Sequence, residues 1–472
     1  MKLRAWQAAC VAKARAQFAA GVDRYLCLAS PGAGKTVMAA ELARHLFADD
    51  AIDLVVCFSP SVQIARNFAA TLAAVTGRRM DGGLASVGRS LLYHQLKGLD
   101  ADFWGLFEDH RVLVIFDEIH HCGGSNLANA TAWGAEILQH IRDRAPFILS
   151  LSGTPWRTDN IPVVLSRYNA DGIVCDYVYG LADAIGERVC REPHLIAVDN
   201  SRYRLVDGGE HDTFSSLTAL LSDQRIGYGE VLKNEALVTQ VLRLARRQLQ
   251  QLQRRDASAA GLVVASSVAH ALWIRDIFQR VFRETPTVVS HRDKHASDRI
   301  ERFRHNQAHW IIAVGMISEG TDIPRLQVCC HLSVVKTELY FRQILGRVLR
   351  VTKKNPDRGF LFFPAEPTLL RFAHRLVEDI PAGRSSLTVT EGSDDVIVDT
   401  SRVPAVSQDA HPVHGTPVDS VSTDVEGRSG ADLMIDGPAG TGVGVDTDRL
   451  PPRLEVFGRF RQEVIRLHLA SP

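Results

Sequence analysis

Over the first 180 residues, short apolar runs alternate with stretches of helical spacing. Residues 24–29, 53–58, 111–116 and 147–152 are rich in Leu, Val, Ile and Phe. Runs that are apolar at nearly every position, rather than at every second one, predict parallel strands covered on both faces. Between them, residues 37–48 and 62–75 read as amphipathic helices. Strand alternating with helix predicts a parallel α/β sheet. A second block repeats the style, with apolar runs at 261–266, 287–290, 310–314, 328–333 and 359–364 and a helical stretch at 269–282. Between the blocks, residues 235–255 predict a helix through Leu237, Val241, Leu244, Leu249 and Leu252.

The expected fold class is therefore α/β, with two tandem parallel-sheet domains. They are placed at 1–180 and 259–380, joined by a connector at 181–258 that contains the helix. Residues 381–450 hold 9 Gly, 5 Pro and 15 Ser/Thr, and no Phe, Trp, Tyr or Lys. That composition leaves too little apolar surface to offset ordering entropy, so a disordered acidic tail is expected there. Residues 451–472 regain apolar periodicity and are expected to form a short terminal helix.

Charge changes the picture only when it is divided. Fifty-four Lys+Arg balance 54 Asp+Glu, yet residues 381–450 alone carry a net −8 and the rest of the chain +8. The working body is mildly basic, and the tail is a candidate for binding a protein partner. The 8 cysteines form no CxxC pair, and several lie inside apolar runs as small hydrophobes. Cys122 beside His120 and His121 lacks the second ligand pair that a zinc finger needs. Lys2, Arg4, Lys13 and Arg15 break up the N-terminal segment before a signal-like apolar core can form. With no apolar stretch of the ~20 residues that a membrane span needs, a cytoplasmic location is expected.

Candidate chemistry follows from three places. Residues Ala29-Ser30-Pro31-Gly32-Ala33-Gly34-Lys35-Thr36 leave a strand and open a helix. Glycines at 32 and 34 let backbone N–H groups approach phosphate oxygens, with the helix N-terminus adding its positive end. Lys35 would reach the β- and γ-phosphates, and Thr36 would place its hydroxyl on Mg²⁺. Ala29 stands where the full phosphate-loop pattern has Gly, at a strand end that needs no positive φ. Asp117 and Glu118 follow the run 111–116; a strand-end carboxylate can hold Mg²⁺ and its neighbour can polarise an attacking water. Arg347 and Arg350 are three apart on a predicted helix and share one face, from which they could meet a γ-phosphate.

The order of these motifs along the chain resembles that of superfamily 2 helicases and translocases of the DExH type, which have two RecA-like lobes. The resemblance covers roughly residues 1–375. It implies that ATP binds between the lobes through Gln7, Pro31, Gly32, Ala33, Gly34, Lys35, Thr36, Gly320, Asp322 and Gln343. It further implies that Thr36 and Asp117 hold Mg²⁺, that Glu118 is the base, and that Lys35, Arg347 and Arg350 complete the catalytic set. His120, Ser152 and Thr154 match the motifs that couple hydrolysis to movement. Ser59, Pro60, Gln63, Tyr93 and His291 stand where relatives touch a nucleic-acid backbone. Two departures from the DEAD-box pattern, the DEIH tetrad and a last motif that begins at Gln343, lean toward DNA rather than RNA and toward restriction-enzyme motors and repair helicases. An RNA helicase with the same chemistry, or an ATP-gated clamp within a larger DNA-processing complex, are the alternatives.

Overall fold

The computed structural model describes residues 2–154, 157, 159, 161–170, 172–207, 210–315, 323–351, 358–378, 385–391 and 452–467. Its first lobe opens with α1 (Ala5–Ala19), then β1 (Arg24–Ala29), α2 (Lys35–Ala48), β2 (Leu54–Ser59), α3 (Val62–Thr76) and β3 (Gly88–Leu92). It continues through α4 (Ala101–Asp109), β4 (Val112–Asp117), α5 (Ala132–His140), β5 (Phe147–Ser152), a hairpin of β6 (Arg167–Asn169) and β7 (Gly172–Val174), and β8 (Tyr177–Tyr179). One sheet results, in the order β3-β2-β4-β5-β1-β8, and all its pairings are parallel. The all-apolar runs become its centre, where every residue of β4 is buried. β3 and β8 carry too few consecutive apolar residues to stand out in the sequence, and both take edge positions.

Next come α6 (Leu181–Gly186), β9 (Glu192–Asn200), β10 (Tyr203–Asp207), β11 (Glu210–Phe214), α7 (Leu217–Ser222), α8 (Tyr228–Val231) and α9 (Glu235–Gln253). α9 is the connector helix; Asn234 caps it by accepting from the Leu237 N–H at 3.1 Å. The second lobe comprises β12 (Ala260–Ala265), α10 (Val268–Ile277), β13 (Thr287–Ser290), α11 (Ala296–His305), β14 (Trp310–Val314), β15 (Leu326–Leu332), α12 (Glu338–Val348), β16 (Arg358–Pro364) and α13 (Pro367–Glu378). Three further strands are β17 (Ser385–Glu391), β18 (Arg453–Val456) and β19 (Phe460–Leu467).

The second sheet runs β13-β14-β12-β15-β16-β9-β19-β17, parallel from β13 to β9 and antiparallel beyond. Here the structure departs from the sequence reading. Part of the expected connector, β9, is a strand of the second sheet, buried along residues 193–198. The expected terminal helix is instead β18 and β19. Phe460, Val464 and Leu467 fit helical spacing, but β9 offers a row of unpaired backbone groups that a strand can satisfy and a helix cannot. The chain reaches it through Gly458, whose N–H donates to Asn200 Oδ1 and whose carbonyl accepts from Asn200 Nδ2. A Cβ on Gly458 would lie 2.5 Å from the Arg202 nitrogen, so only glycine fits there. Of the expected tail, residues 385–391 form β17; residues 392–450 lie outside the described residues.

Ile465, 2% exposed, ties β19 into the core of the second lobe. Ending the chain at residue 452 would uncover the β9 edge. It should lower the melting temperature by more than about 5 °C, a loss equal to a few kcal/mol in a domain of this size. An unchanged melting curve would show that β19 does not pair with β9 in solution.

Candidate nucleotide cleft

The loop that joins β1 to α2 turns twice through left-handed backbone, at Gly32 (φ 80°) and Gly34 (φ 96°). A Cβ on Gly34 would lie 2.8 Å from Gln7 Nε2, so side-chain crowding reinforces the φ requirement. Ala29 ends β1 and is absent from the positive-φ positions, which is why alanine suffices there. Ala33 is buried, and its carbonyl accepts from the Arg4 guanidinium. Gln7 faces the loop from α1: its Nε2 donates to the Gly34 carbonyl at 3.0 Å and its Oε1 accepts from the Arg4 N–H at 2.9 Å. The amide that the resemblance assigns to ATP binding therefore also braces the loop.

Lys35 starts α2 and points its ammonium at Glu118, with Nζ 2.7 Å from Oε1. Asp117 closes β4, and Glu118 takes a left-handed conformation (φ 54°, ψ 55°) that turns it away from its neighbour. Glu118 Oε2 accepts from the Gly153 N–H at 3.0 Å and lies 3.5 Å from both Ser152 Oγ and His120 Nδ1. His120 Nδ1 is 3.0 Å from Ser152 Oγ, which in turn lies 2.8 Å from the Thr154 carbonyl. A continuous polar network therefore links Lys35, Glu118, His120, Ser152 and Thr154.

The two carboxyls differ sharply in proton affinity. Burial, reinforced by the Glu118 charge, pushes Asp117 up to about 7. Burial also acts to raise Glu118, but Lys35, His120 and the hydrogen bonds from Lys35 and Gly153 outweigh it and hold the group at about 2. A buried carboxyl that resists ionisation beside a second carboxylate is a donor that a divalent cation would stabilise. Among the described residues no group of three His, Cys, Asp or Glu side chains could hold a metal. A cation at Asp117 would therefore rely on the Thr36 hydroxyl, water and ligand oxygens, a donor set that suits Mg²⁺.

The second lobe supplies the facing wall. Gln343, Gly346 and Arg347 on α12, with Arg350 just beyond it, close a cavity of about 340 Å³. Its other wall is formed by Pro31, Gly32, Gly34, Lys35, Thr36, Asp117, Glu118, Gly153 and Thr154. Gly346 makes the approach feasible, because a Cβ there would sit 2.9 Å from Pro31 Cβ and Cγ. Cys190 adds a second lobe-to-lobe contact, its thiol donating to the Pro31 carbonyl at 3.1 Å. Neither Gly346 nor Cys190 carries a sequence signal of this packing role.

Other expected residues fall elsewhere. Ser59 is fully buried at the end of β2. Tyr93 is also buried. It is 1% exposed, its hydroxyl donates to the Asp117 carbonyl at 2.8 Å, and its ring stacks on Phe58, Phe116 and Trp133. An aromatic residue at the end of a strand pays more by filling the core than by facing a polymer. Pro60 is half-buried, and Gln63 is exposed on α3 with Nε2 donating to Asn67 Oδ1. His291 is exposed just past β13. Gly320 and Asp322 lie outside the described residues.

Two α/β lobes thus face each other across this cavity, one bringing the phosphate-type loop and the acidic strand tip, the other an arginine-bearing helix. Residues 1–157 match the family model described as the type III restriction enzyme res subunit. The chain is 30% identical over 425 residues to the uncharacterized protein ML1624 of Mycobacterium leprae (strain TN), covering 83% of this chain and 69% of that protein. It is also 30% identical over 391 residues to the uncharacterized protein Rv2917 of Mycobacterium tuberculosis (strain H37Rv), covering 79% of this chain and 63% of the relative. The chain thus spans about two thirds of the length of these relatives. Among solved structures, a fragment described as the HsdR subunit of a type I restriction enzyme from Vibrio vulnificus YJ016 superposes with a TM-score of 0.53. That match has 18% identity and covers 78% of this chain and 65% of the other. The chain belongs to one family with the mycobacterial proteins, its first 157 residues are similar to the res subunit of type III restriction enzymes, and its fold is similar to that of the HsdR fragment.

Tyr93→Phe separates a core role from a polymer contact. Loss of its one hydrogen bond should cost about 1 kcal/mol of stability and leave nucleic-acid affinity unchanged. A fall in affinity at constant stability would restore the contact role.

Proposed function

We propose that this protein is an ATP-dependent translocase that acts on DNA, with ATP hydrolysed in the Lys35 cleft. The observation that carries the reading is the Lys35–Glu118 pair lying across a 340 Å³ cavity from Arg347 and Arg350. Incoming phosphate competes for Lys35. Once the ammonium turns to the β- and γ-oxygens, Glu118 loses the charge that holds its proton affinity down. The freed carboxylate, still fixed by the Gly153 N–H, is then a better base for the attacking water. Thr36 and Asp117 are the residues that would hold Mg²⁺, which when bound offsets charge developing on the phosphates. Arg347 and Arg350 approach from the other lobe and stabilise the transferring group, so turnover requires the lobes to be closed. The change at Glu118 reaches Ser152 and Thr154 through His120, a route by which hydrolysis can alter lobe spacing.

Pro60 and Gln63 follow the C-terminal end of β2, and His291 follows that of β13. A single strand lying over these ends would touch both lobes and be held mainly by its phosphates. Kinship with restriction-enzyme motor subunits supports DNA as that polymer.

Glu118→Gln should preserve nucleotide binding and stop hydrolysis, whereas Lys35→Ala should lose both. Near-wild-type turnover in Glu118→Gln would remove it as the base. Arg347→Ala should leave KM within a few-fold and cut kcat by about 10³ or more. An effect confined to KM would place Arg347 on the bound ground state instead. The test of the whole reading is ATP turnover measured without polymer and with single-stranded DNA, duplex DNA and RNA of the same sequence at fixed salt. DNA should stimulate most. Stronger stimulation by RNA would overturn the DNA assignment, and no stimulation by any polymer would overturn the translocase.

A further inference from the structure

A second and larger cavity, of about 780 Å³, lies between the C-terminal end of α9, the segment that follows α6 and the start of β16. Four arginines line it: Arg188, Arg254, Arg255 and Arg358. They come from three separate parts of the chain, so their convergence is a product of the fold and not of a basic run. Among the described residues no carboxylate forms an ion pair with any of the four, and the nearby ones are engaged elsewhere. Glu187, beside Arg188, accepts from the Tyr179 hydroxyl at 2.8 Å, and Glu192 at the cavity wall lies 3.5 Å from His194 Nε2. A helix C-terminus brings a partial negative charge of about half a unit. Set against that and Glu192, four guanidinium groups leave the cavity at about +2.5.

The remaining lining is of a different character. Leu252 and the ring of Phe360 give an apolar surface, and Gln248 and Gln251, three apart on α9, present two amides from one helix face. A small apolar portion with two convergent amides, beside a cluster of arginines, fits a molecule with a flat ring system at one end and phosphate at the other. The volume is within the usual range for small-ligand pockets. Cys190 belongs to the same wall, and its thiol reaches the Pro31 carbonyl, so the cavity stands one residue behind the loop of the Lys35 cleft.

We propose that this cavity is a second site for a phosphorylated nucleotide, separate from the Lys35 cleft, in which the arginines take the phosphates and the Phe360 wall takes the base. The proposal does not depend on ATP binding at Lys35.

Calorimetric titration of the full chain with ADP, and separately with inorganic tripolyphosphate, tests it. Wild type should bind two ADP molecules and Lys35→Ala one. The double variant Arg254→Ala/Arg358→Ala should retain the Lys35 site and weaken the other by at least tenfold, about what loss of one charge-assisted contact costs. The four arginines are exposed, so an unaltered melting temperature is expected and certifies the comparison. Two ADP bound with unchanged affinity in the double variant would overturn the site. Tripolyphosphate bound as tightly as ADP in Lys35→Ala would overturn the nucleotide assignment, as would displacement of that ADP by a 5′-phosphorylated oligonucleotide of higher affinity. Failure of the Lys35 cleft itself reads differently: wild type and Lys35→Ala would then each bind one ADP, and the double variant would lose it.

Discussion

Two carboxyls stand side by side at the tip of a buried strand, and much of the cleft can be understood as the means of keeping them there. Asp117 and Glu118 follow five buried residues of β4 with little water to screen them. The backbone answers with a left-handed turn at Glu118, a conformation that costs a non-glycine residue on the order of 1 kcal/mol or more. The turn delivers Glu118 to Lys35 and to the Gly153 N–H, while Asp117 remains in the strand and holds its proton more tightly. One carboxylate is thereby charged and paired, and the other is placed to receive a cation. The loop, the acidic tip and the Ser152–Thr154 segment are three pieces of sequence held in register by this one arrangement.

The contact between the lobes depends on absence as much as on presence. Gly346 lets α12 come within van der Waals distance of Pro31, which carries Arg347 and Arg350 to the cleft wall. Arg191 secures the far side of that contact. It is fully buried and donates to the carbonyls of Pro324, Leu326 and Val348, while its own N–H donates to Leu349. The end of α12 is thus tied to the start of β9, next to Cys190, whose thiol touches the loop.

How much of the site was legible depended on how local its geometry is. Gly32, Gly34, Lys35 and Thr36 are contiguous, and their chemistry is written in their spacing. Asp117 and Glu118 are announced by the apolar run before them. Arg347 and Arg350 are marked by their spacing on a helix. The structure brings these residues to one cavity. Residues whose roles are set by what lies across from them were read less well. Tyr93 sits in a motif-like stretch, but three aromatic neighbours from other elements draw it into the core. Gln7 turns to the loop because Gly34 has no side chain to hold it off.

The sequence by itself determined two parallel α/β sheets and the chemistry of the loop, because continuous apolar runs and short motifs act within a few residues of one another. Only the tertiary structure decided that β9 joins the second sheet, that residues 453–456 and 460–467 are strands, and that four distant arginines face one cavity. Strand pairing and charge convergence are properties of partners far apart in the chain. An alternating or mixed pattern such as that of Phe460–Leu467 suits either a helix or a strand until an unpaired neighbour supplies the hydrogen bonds that choose between them.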